Sequence, residues 1–173
     1  MNQALFLDRD GIFNEVVFRN GKMHSPHTFS EVIHYPGLEG LSRFKEAGFL
    51  LIMVTNQPDL ERKLLTQEFL DKLHGDYQKK YSLDAVYCCP FASESHPDKK
   101  PNPGMFLKAI ADWNIDAGKS YHLGDTDRDV EAAKRAGIQS VLWDREYNRE
   151  IRSDYRIKNL QELEGILSLR MER

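Results

Sequence analysis

The chain has 173 residues, 29% of them charged, and a formal net charge of −3. That length suits one domain, residues 1–173, with a real core, and the balance of charge excludes a general nucleic-acid binder, which carries a basic excess. The apolar runs are far too short to span a bilayer. No basic-then-apolar leader opens the chain, so a cytoplasmic protein without a membrane partner is expected.

Leu5-Phe6-Leu7-Asp8-Arg9-Asp10-Gly11 reads as a short buried strand that ends in two aspartates. Side chains two apart on a strand point the same way, so Asp8 and Asp10 can reach one small volume. Crowded carboxylates repel unless a cation or proton lies between them, and a hard cation such as Mg2+ suits oxygen ligands. Solvated acids before a turn glycine would read the same way on these residues alone. Asn20-Gly21, between apolar-polar stretches, signals a hairpin, here a small β flap beside the end of the first strand.

Leu38, Leu41, Phe44 and Lys45 follow helical spacing, with Gly48 as the cap. Phe49 to Val54 is a second buried strand running into Thr55-Asn56-Gln57-Pro58. Thr55 and Asn56 can donate to an oxyanion there, although such residues are more often turn formers. Thr66 caps a helix with Phe69, Leu70, Leu73 and Tyr77 as its buried stripe. Ala85 to Pro90 is a third strand containing the adjacent Cys88 and Cys89, which are not expected to bridge.

The polar loop from Phe91 to Pro103 carries Lys99-Lys100-Pro101 and opens a helix at Gly104. Loop lysines are usually solvated, but an ammonium pinned near a helix start suits a phosphate. Ser120 to Asp125 is a fourth strand ending in Gly124-Asp125, followed by a helix through Ala136 with Gly137 as its cap. Helix capping accounts for Asp127 and Asp129. It accounts less well for Asp125, directly after the strand. Ser140 to Asp144 is a fifth strand, Tyr155 to Ile157 a short sixth, and Leu160 to Leu169 a terminal helix. The alternation predicts an α/β, doubly wound, mainly parallel sheet with its site at the carboxyl edge.

Four segments in this order resemble the motifs of the haloacid dehalogenase superfamily of phosphatases. They are Asp8-Arg9-Asp10-Gly11, Thr55-Asn56-Gln57, Lys99-Lys100-Pro101-Asn102-Pro103-Gly104-Met105, and Gly124-Asp125-Thr126-Asp127-Arg128-Asp129. Asn14, the Thr-Asn-Gln triplet, Tyr87-x-Cys89-Pro90 and Lys-Pro-x-Pro-Gly-Met resemble the branch that holds heptose 1,7-bisphosphate 7-phosphatases and the histidinol-phosphatase domain. The resemblance implies a Rossmann-like fold without a large cap domain, and a small phosphorylated metabolite as substrate. It implies Asp8 as nucleophile and Asp10 as general acid and base. It implies Mg2+ held by Asp8, the Asp10 backbone carbonyl and Asp125. Thr55 and Lys100 would grip phosphate, with Asn56 and Lys99 as candidates for substrate contact and Asp129 as a support of the metal shell or a helix cap.

Several positions depart from that branch. Many members carry a Cys-x-His, Cys-x-Cys zinc loop; here Phe91 replaces the histidine, and His96 and Asp98 replace the later cysteines. Structural zinc prefers four Cys or His ligands and is not expected. Lys99 stands where arginine is usual, which removes a bidentate fork for phosphate. Ile12 and Pro58-Asp59-Leu60 also differ, so histidinol phosphate or another small monoester is the alternative to a heptose substrate. A phosphoacceptor module that keeps its aspartyl-phosphate is a third reading, disfavoured by Asp10. No nucleotide-binding glycine loop is present. A monomer or weak homodimer is expected.

Overall fold

The computed structural model describes residues 1–171, with side chains as far as Leu167. Six parallel strands form the main sheet: β1 (Gln3–Leu7), β4 (Phe49–Asn56), β5 (Ala85–Cys89), β6 (Tyr121–Gly124), β7 (Gln139–Trp143) and β8 (Tyr155–Ile157). The remaining strands, β2 (Val17–Arg19) and β3 (Lys22–His24), pair antiparallel as the expected flap. Its turn residues Asn20 and Gly21 have φ of 51° and 73°, the signature of a turn that follows strand twist.

The sheet order is β5-β4-β1-β6-β7-β8. The chain therefore winds outward from β1 in one direction through β4 and β5, then crosses to β6 on the other side. Ligands in open α/β sheets bind at the carboxyl ends where the order reverses, which here is the end of β1.

Alternation along β1 builds both cores. Leu5 and Leu7 join one apolar cluster, while Ala4 and Phe6 join the other, as period-two geometry requires. The first cluster is closed by α1 (Leu41–Glu46), α2 (Gln67–Tyr81) and α5 (Leu160–Met171), the second by α3 (Gly104–Trp113) and α4 (Asp127–Arg135). Both faces are thus covered, as a parallel sheet demands.

Local signals are met at most boundaries. Thr66 caps α2 by accepting from Phe69 N at 3.1 Å, and Phe69, Leu70, Leu73 and Tyr77 are buried along that helix. Gly48 and Gly137 leave α1 and α4 at φ of 89° and 75°. Helix α1 is shorter than its apolar spacing suggests. It begins at Leu41, so Leu38 is buried from the preceding turn instead.

One boundary matters for chemistry. Strand β4 does not stop at Val54 but runs through Asn56, because β5 pairs Cys88 with Thr55 and Cys89 with Asn56. Successive strand side chains point to opposite faces, so Thr55 and Asn56 serve different surroundings.

Candidate active site

Asp8 leaves β1 with its backbone N–H donating to Leu123 O at 2.9 Å, which ties its position to β6. Its Oδ1 accepts from Arg9 N at 2.8 Å and pairs with Lys100 Nζ at 2.9 Å. The Lys100 amine also donates to Asp129 Oδ1 at 2.6 Å and to Val54 O at 3.1 Å. Three hydrogens meet three acceptors, so the ammonium is fully satisfied while buried. Asn56 brackets the Lys100 backbone: its Oδ1 accepts from Lys100 N and its Nδ2 donates to Lys100 O, both at 2.9 Å. This is where the outward face of β4 sends Asn56. The residue positions the lysine loop.

Asp125 follows β6 and is 1% exposed. Tyr147 donates to its Oδ2, and Asn148 Nδ2 donates to its backbone carbonyl at 2.8 Å. Among the described residues, Asp125 Oδ1 is a buried side-chain oxygen with no hydrogen-bond partner. Asp129 is occupied differently. Its Oδ1 takes Lys100 and His122, and its Oδ2 takes the backbone and hydroxyl of Thr126, completing the capping box of α4.

Carboxylate oxygens of Asp8, Asp125 and Asp129 lie within 4.8 Å of one another. Burial, with the charge of Asp129 and its neighbours, raises the Asp8 carboxyl to about 7 and lifts Asp125 well above its ordinary value. Asp129 goes the other way: burial opposes its charge, but Lys100 and His122 prevail and hold it low. Lys100 is raised because Asp129 and Asp8 outweigh its own burial. The donor set fits a hard divalent cation. Two buried carboxyls carry a charge that their surroundings disfavour, and one of their oxygens lacks a partner. Asp129, saturated by Lys100, His122 and Thr126, belongs to the lysine more than to an ion.

Gly11 makes this approach possible. It sits at φ +85°, and a Cβ there would lie 1.9 Å from Asp125 Oδ2. Gly11→Ala is expected to cost about 1–3 kcal/mol in stability through backbone strain and about 100-fold in kcat/KM by displacing the carboxylate. Thermal unfolding and steady-state kinetics check both.

Asp10 is fixed by a network of its own. Arg9 grips it with Nη2 at 2.9 Å from Oδ1 and 3.1 Å from Oδ2, and Asn14, Ser25 and Gln57 each donate to it. Burial pushes this carboxyl up, but Arg9 and those donors outweigh it and hold it below the ordinary value. Arg9 is fully buried and also donates to Gln57 Oε1 at 3.0 Å and to His74 Nε2 at 3.2 Å. His74 stays neutral, with its pKa lowered to about 4 by burial and by Arg9. Thr55 faces this network: its hydroxyl accepts from Gln57 Nε2 at 2.8 Å. Ser25 and Tyr147 carry no signal in the sequence that would assign them to Asp10 or Asp125, because each contact spans a large separation along the chain.

The site opens into a cleft of about 360 Å³ beneath the flap residues Met23, His24 and Ser25. Lys99, Arg128 and Arg62 are among the residues that line it. The Lys99 amine donates to Ala92 O at 2.5 Å and to Glu94 Oε1 at 2.7 Å. Arg128 reaches Glu94 Oε2 at 2.7 Å, and Arg62 reaches Asp59 at 2.9 Å. Beyond them, Phe91 stacks on the His96 ring at 4.0 Å, and His96 Nδ1 accepts the Asp98 N–H at 3.2 Å and lies 4.0 Å from Cys89 Sγ.

Residues 12–137 match the family model of the haloacid dehalogenase-like hydrolases. This chain belongs to that family. It is a haloacid dehalogenase-like phosphatase. Among its relatives, the D-glycero-beta-D-manno-heptose-1,7-bisphosphate 7-phosphatase of Pasteurella multocida is 33% identical over 156 residues, covering 82% of this chain and 81% of the relative. The D-glycero-alpha-D-manno-heptose-1,7-bisphosphate 7-phosphatase of Burkholderia mallei is 32% identical over 163 residues, covering 82% and 79%. The phosphatase shares its fold with the D,D-heptose 1,7-bisphosphate phosphatase of B. bronchiseptica, solved with magnesium and phosphate. The TM-score is 0.82 at 24% identity, covering 96% of this chain and 99% of that one. A putative phosphatase of the family from Mesorhizobium loti aligns at TM-score 0.75 and 27% identity, covering 96% and 85%. Among the described residues no helix is long and apolar enough to cross a membrane.

Proposed function

We propose that this phosphatase is a Mg2+-dependent phosphomonoesterase that works through an aspartyl-phosphate on Asp8, with D-glycero-D-manno-heptose 1,7-bisphosphate as its first candidate substrate. The observation that carries the reading is the meeting of Asp8, Lys100 and Asp125 at the end of β1. Asp8, Asp125 and the Asp10 backbone carbonyl would hold the ion. When bound, Mg2+ would offset the repulsion between anionic Asp8 and phosphate and polarise the phosphoryl oxygens. At 4 Å two like charges repel by about 4 kcal/mol at an effective dielectric near 20, a thousandfold in rate.

The chain's own groups account for the remaining steps. A carboxylate oxygen of Asp8 forms a bond to phosphorus as the bond to the sugar oxygen breaks. Asp8 Oδ1 is held by Arg9 N and Lys100, and among the described residues no hydrogen bond reaches its Oδ2. Asp10 gives its proton to the departing alkoxide, then takes one from the water that attacks the aspartyl-phosphate, releasing Asp8 and inorganic phosphate. Arg9 keeps Asp10 ionised before substrate arrives. An incoming phosphoryl anion raises a neighbouring carboxyl, which favours uptake of a proton from solvent by Asp10 before the transfer. Lys100 and Thr55 would stabilise the non-bridging oxygens, and Asn56 and Lys99 would act through the lysine loop and the cleft lining.

One observation favours the alternative, histidinol phosphate or another small monoester. Lys99, Arg128 and Arg62 in the cleft lining are each already paired with Glu94 or Asp59, so a second phosphate must compete for them. The test is a panel of both heptose bisphosphate anomers, histidinol phosphate and common sugar phosphates with Mg2+, ranked by kcat/KM. Phosphate release is expected and EDTA abolishes it. Acetyl phosphate labelling that persists for hours without turnover would instead mark a phosphoacceptor.

A further inference from the structure

Three residues of one short turn after β7 reach back to both acidic motifs. Arg145 donates to the Gly11 carbonyl through Nη2 at 2.7 Å and Nε at 3.2 Å, and its guanidinium stacks 4.0 Å over the Tyr35 ring. Asn148 Nδ2 joins the Asp125 carbonyl at 2.8 Å to the Trp143 carbonyl at 2.9 Å. Tyr147 donates its hydroxyl to Asp125 Oδ2. The Asp125 carboxylate is thereby asymmetric. Its Oδ2 is held by Tyr147 and packed over Gly11, while its Oδ1 is buried without a partner.

A carboxylate free to rotate would present either oxygen and would lose rotamer entropy on binding an ion. One pinned by a hydrogen bond on its second oxygen presents the first in advance. Outer partners of metal-ligating carboxylates orient them, and their loss weakens binding. We infer that Tyr147 is a positioning residue that fixes Asp125 by its Oδ2, leaves Oδ1 as the open donor, and so sets the affinity of this site for a divalent cation. The inference rests on the metal reading above. Nothing in the four acidic and basic motifs assigns it, since Tyr147 lies in a different segment of the chain.

Tyr147→Phe removes one oxygen and leaves the ring in place. Calorimetric titration of the full chain with MgCl2, without substrate, is expected to show the dissociation constant raised by about 10- to 100-fold relative to wild type. The thermal midpoint gained on adding Mg2+ is expected to shrink as well. A merely structural role lowers the metal-free midpoint and leaves the dissociation constant unchanged, and that result overturns the inference. If wild type itself binds no Mg2+, the metal reading fails, which is distinguishable from a variant that binds as well as wild type.

Discussion

Asp8→Asn is expected to abolish turnover and, in the metal-free protein, to raise stability. An amide is neither an anionic nucleophile nor an ordinary ligand for a hard cation, and loss of a nucleophile costs on the order of 10^4- to 10^6-fold in kcat. The stabilisation follows from the same site. Asp8 is buried against Asp129 and Asp125, and the folded protein holds its pKa near 7, against 3.8 ordinarily. With a raised folded value, the folded state binds more protons, so stability falls as pH rises from about 4 to 7. At pH 8 the full penalty is present, and a neutral amide removes part of it. A gain on the order of 1–2 kcal/mol is expected, or several degrees in thermal midpoint. Differential scanning fluorimetry with EDTA, compared across pH, checks the sign. A variant less stable than wild type at pH 8 would contradict the account of crowded carboxylates.

Lys100→Met is expected to do the reverse to stability while also damaging activity. The side chain is 2% exposed and joins Asp8, Asp129 and the Val54 carbonyl. A methionine fills similar volume but leaves buried carboxylates without their cation. Breaking a buried pair on one side costs about 3–5 kcal/mol, a drop on the order of 10 °C in a chain of this size. Loss of a preorganised cation beside the phosphoryl group adds about 100- to 1,000-fold in kcat. Urea unfolding gives the first number and steady-state kinetics at saturating Mg2+ the second. Lys100→Arg is not expected to rescue either, because the planar guanidinium cannot direct three hydrogens to the acceptors that the ammonium meets.

These two variants separate what the lysine does from what the aspartate does. Lys100 compensates charge as well as gripping substrate, because its shortest bond is to Asp129 and not to Asp8. Asp129, which the sequence assigns to capping or metal support, both completes the capping box of α4 with Thr126 and anchors the lysine.

The sheet and its helices were legible in the sequence because each rests on local regularities. Apolar runs mark β1 and β4, caps such as Thr66 and Gly137 mark helix ends, and Asn20-Gly21 marks the flap. Apolar character alone ends β4 two residues early, since Thr55 and Asn56 are held in the strand by the backbone of β5, a partner distant in sequence. The same limit applies to the site. Asp8, Lys100 and Asp125 could be named individually, each at a strand or helix end with a distinctive neighbour.

By itself the sequence determined the alternation of elements, the polar residues at their ends and hence the meeting of acids and lysine at one edge of a parallel sheet. Only the tertiary structure decided which partner each polar group takes: Asn56 the lysine loop, Glu94 Lys99 and Arg128, Tyr147 Asp125. Strand and helix periodicity are properties of neighbours along the chain. Hydrogen bonds across such separations depend on distances of a few tenths of an ångström that only packing of the whole sheet sets.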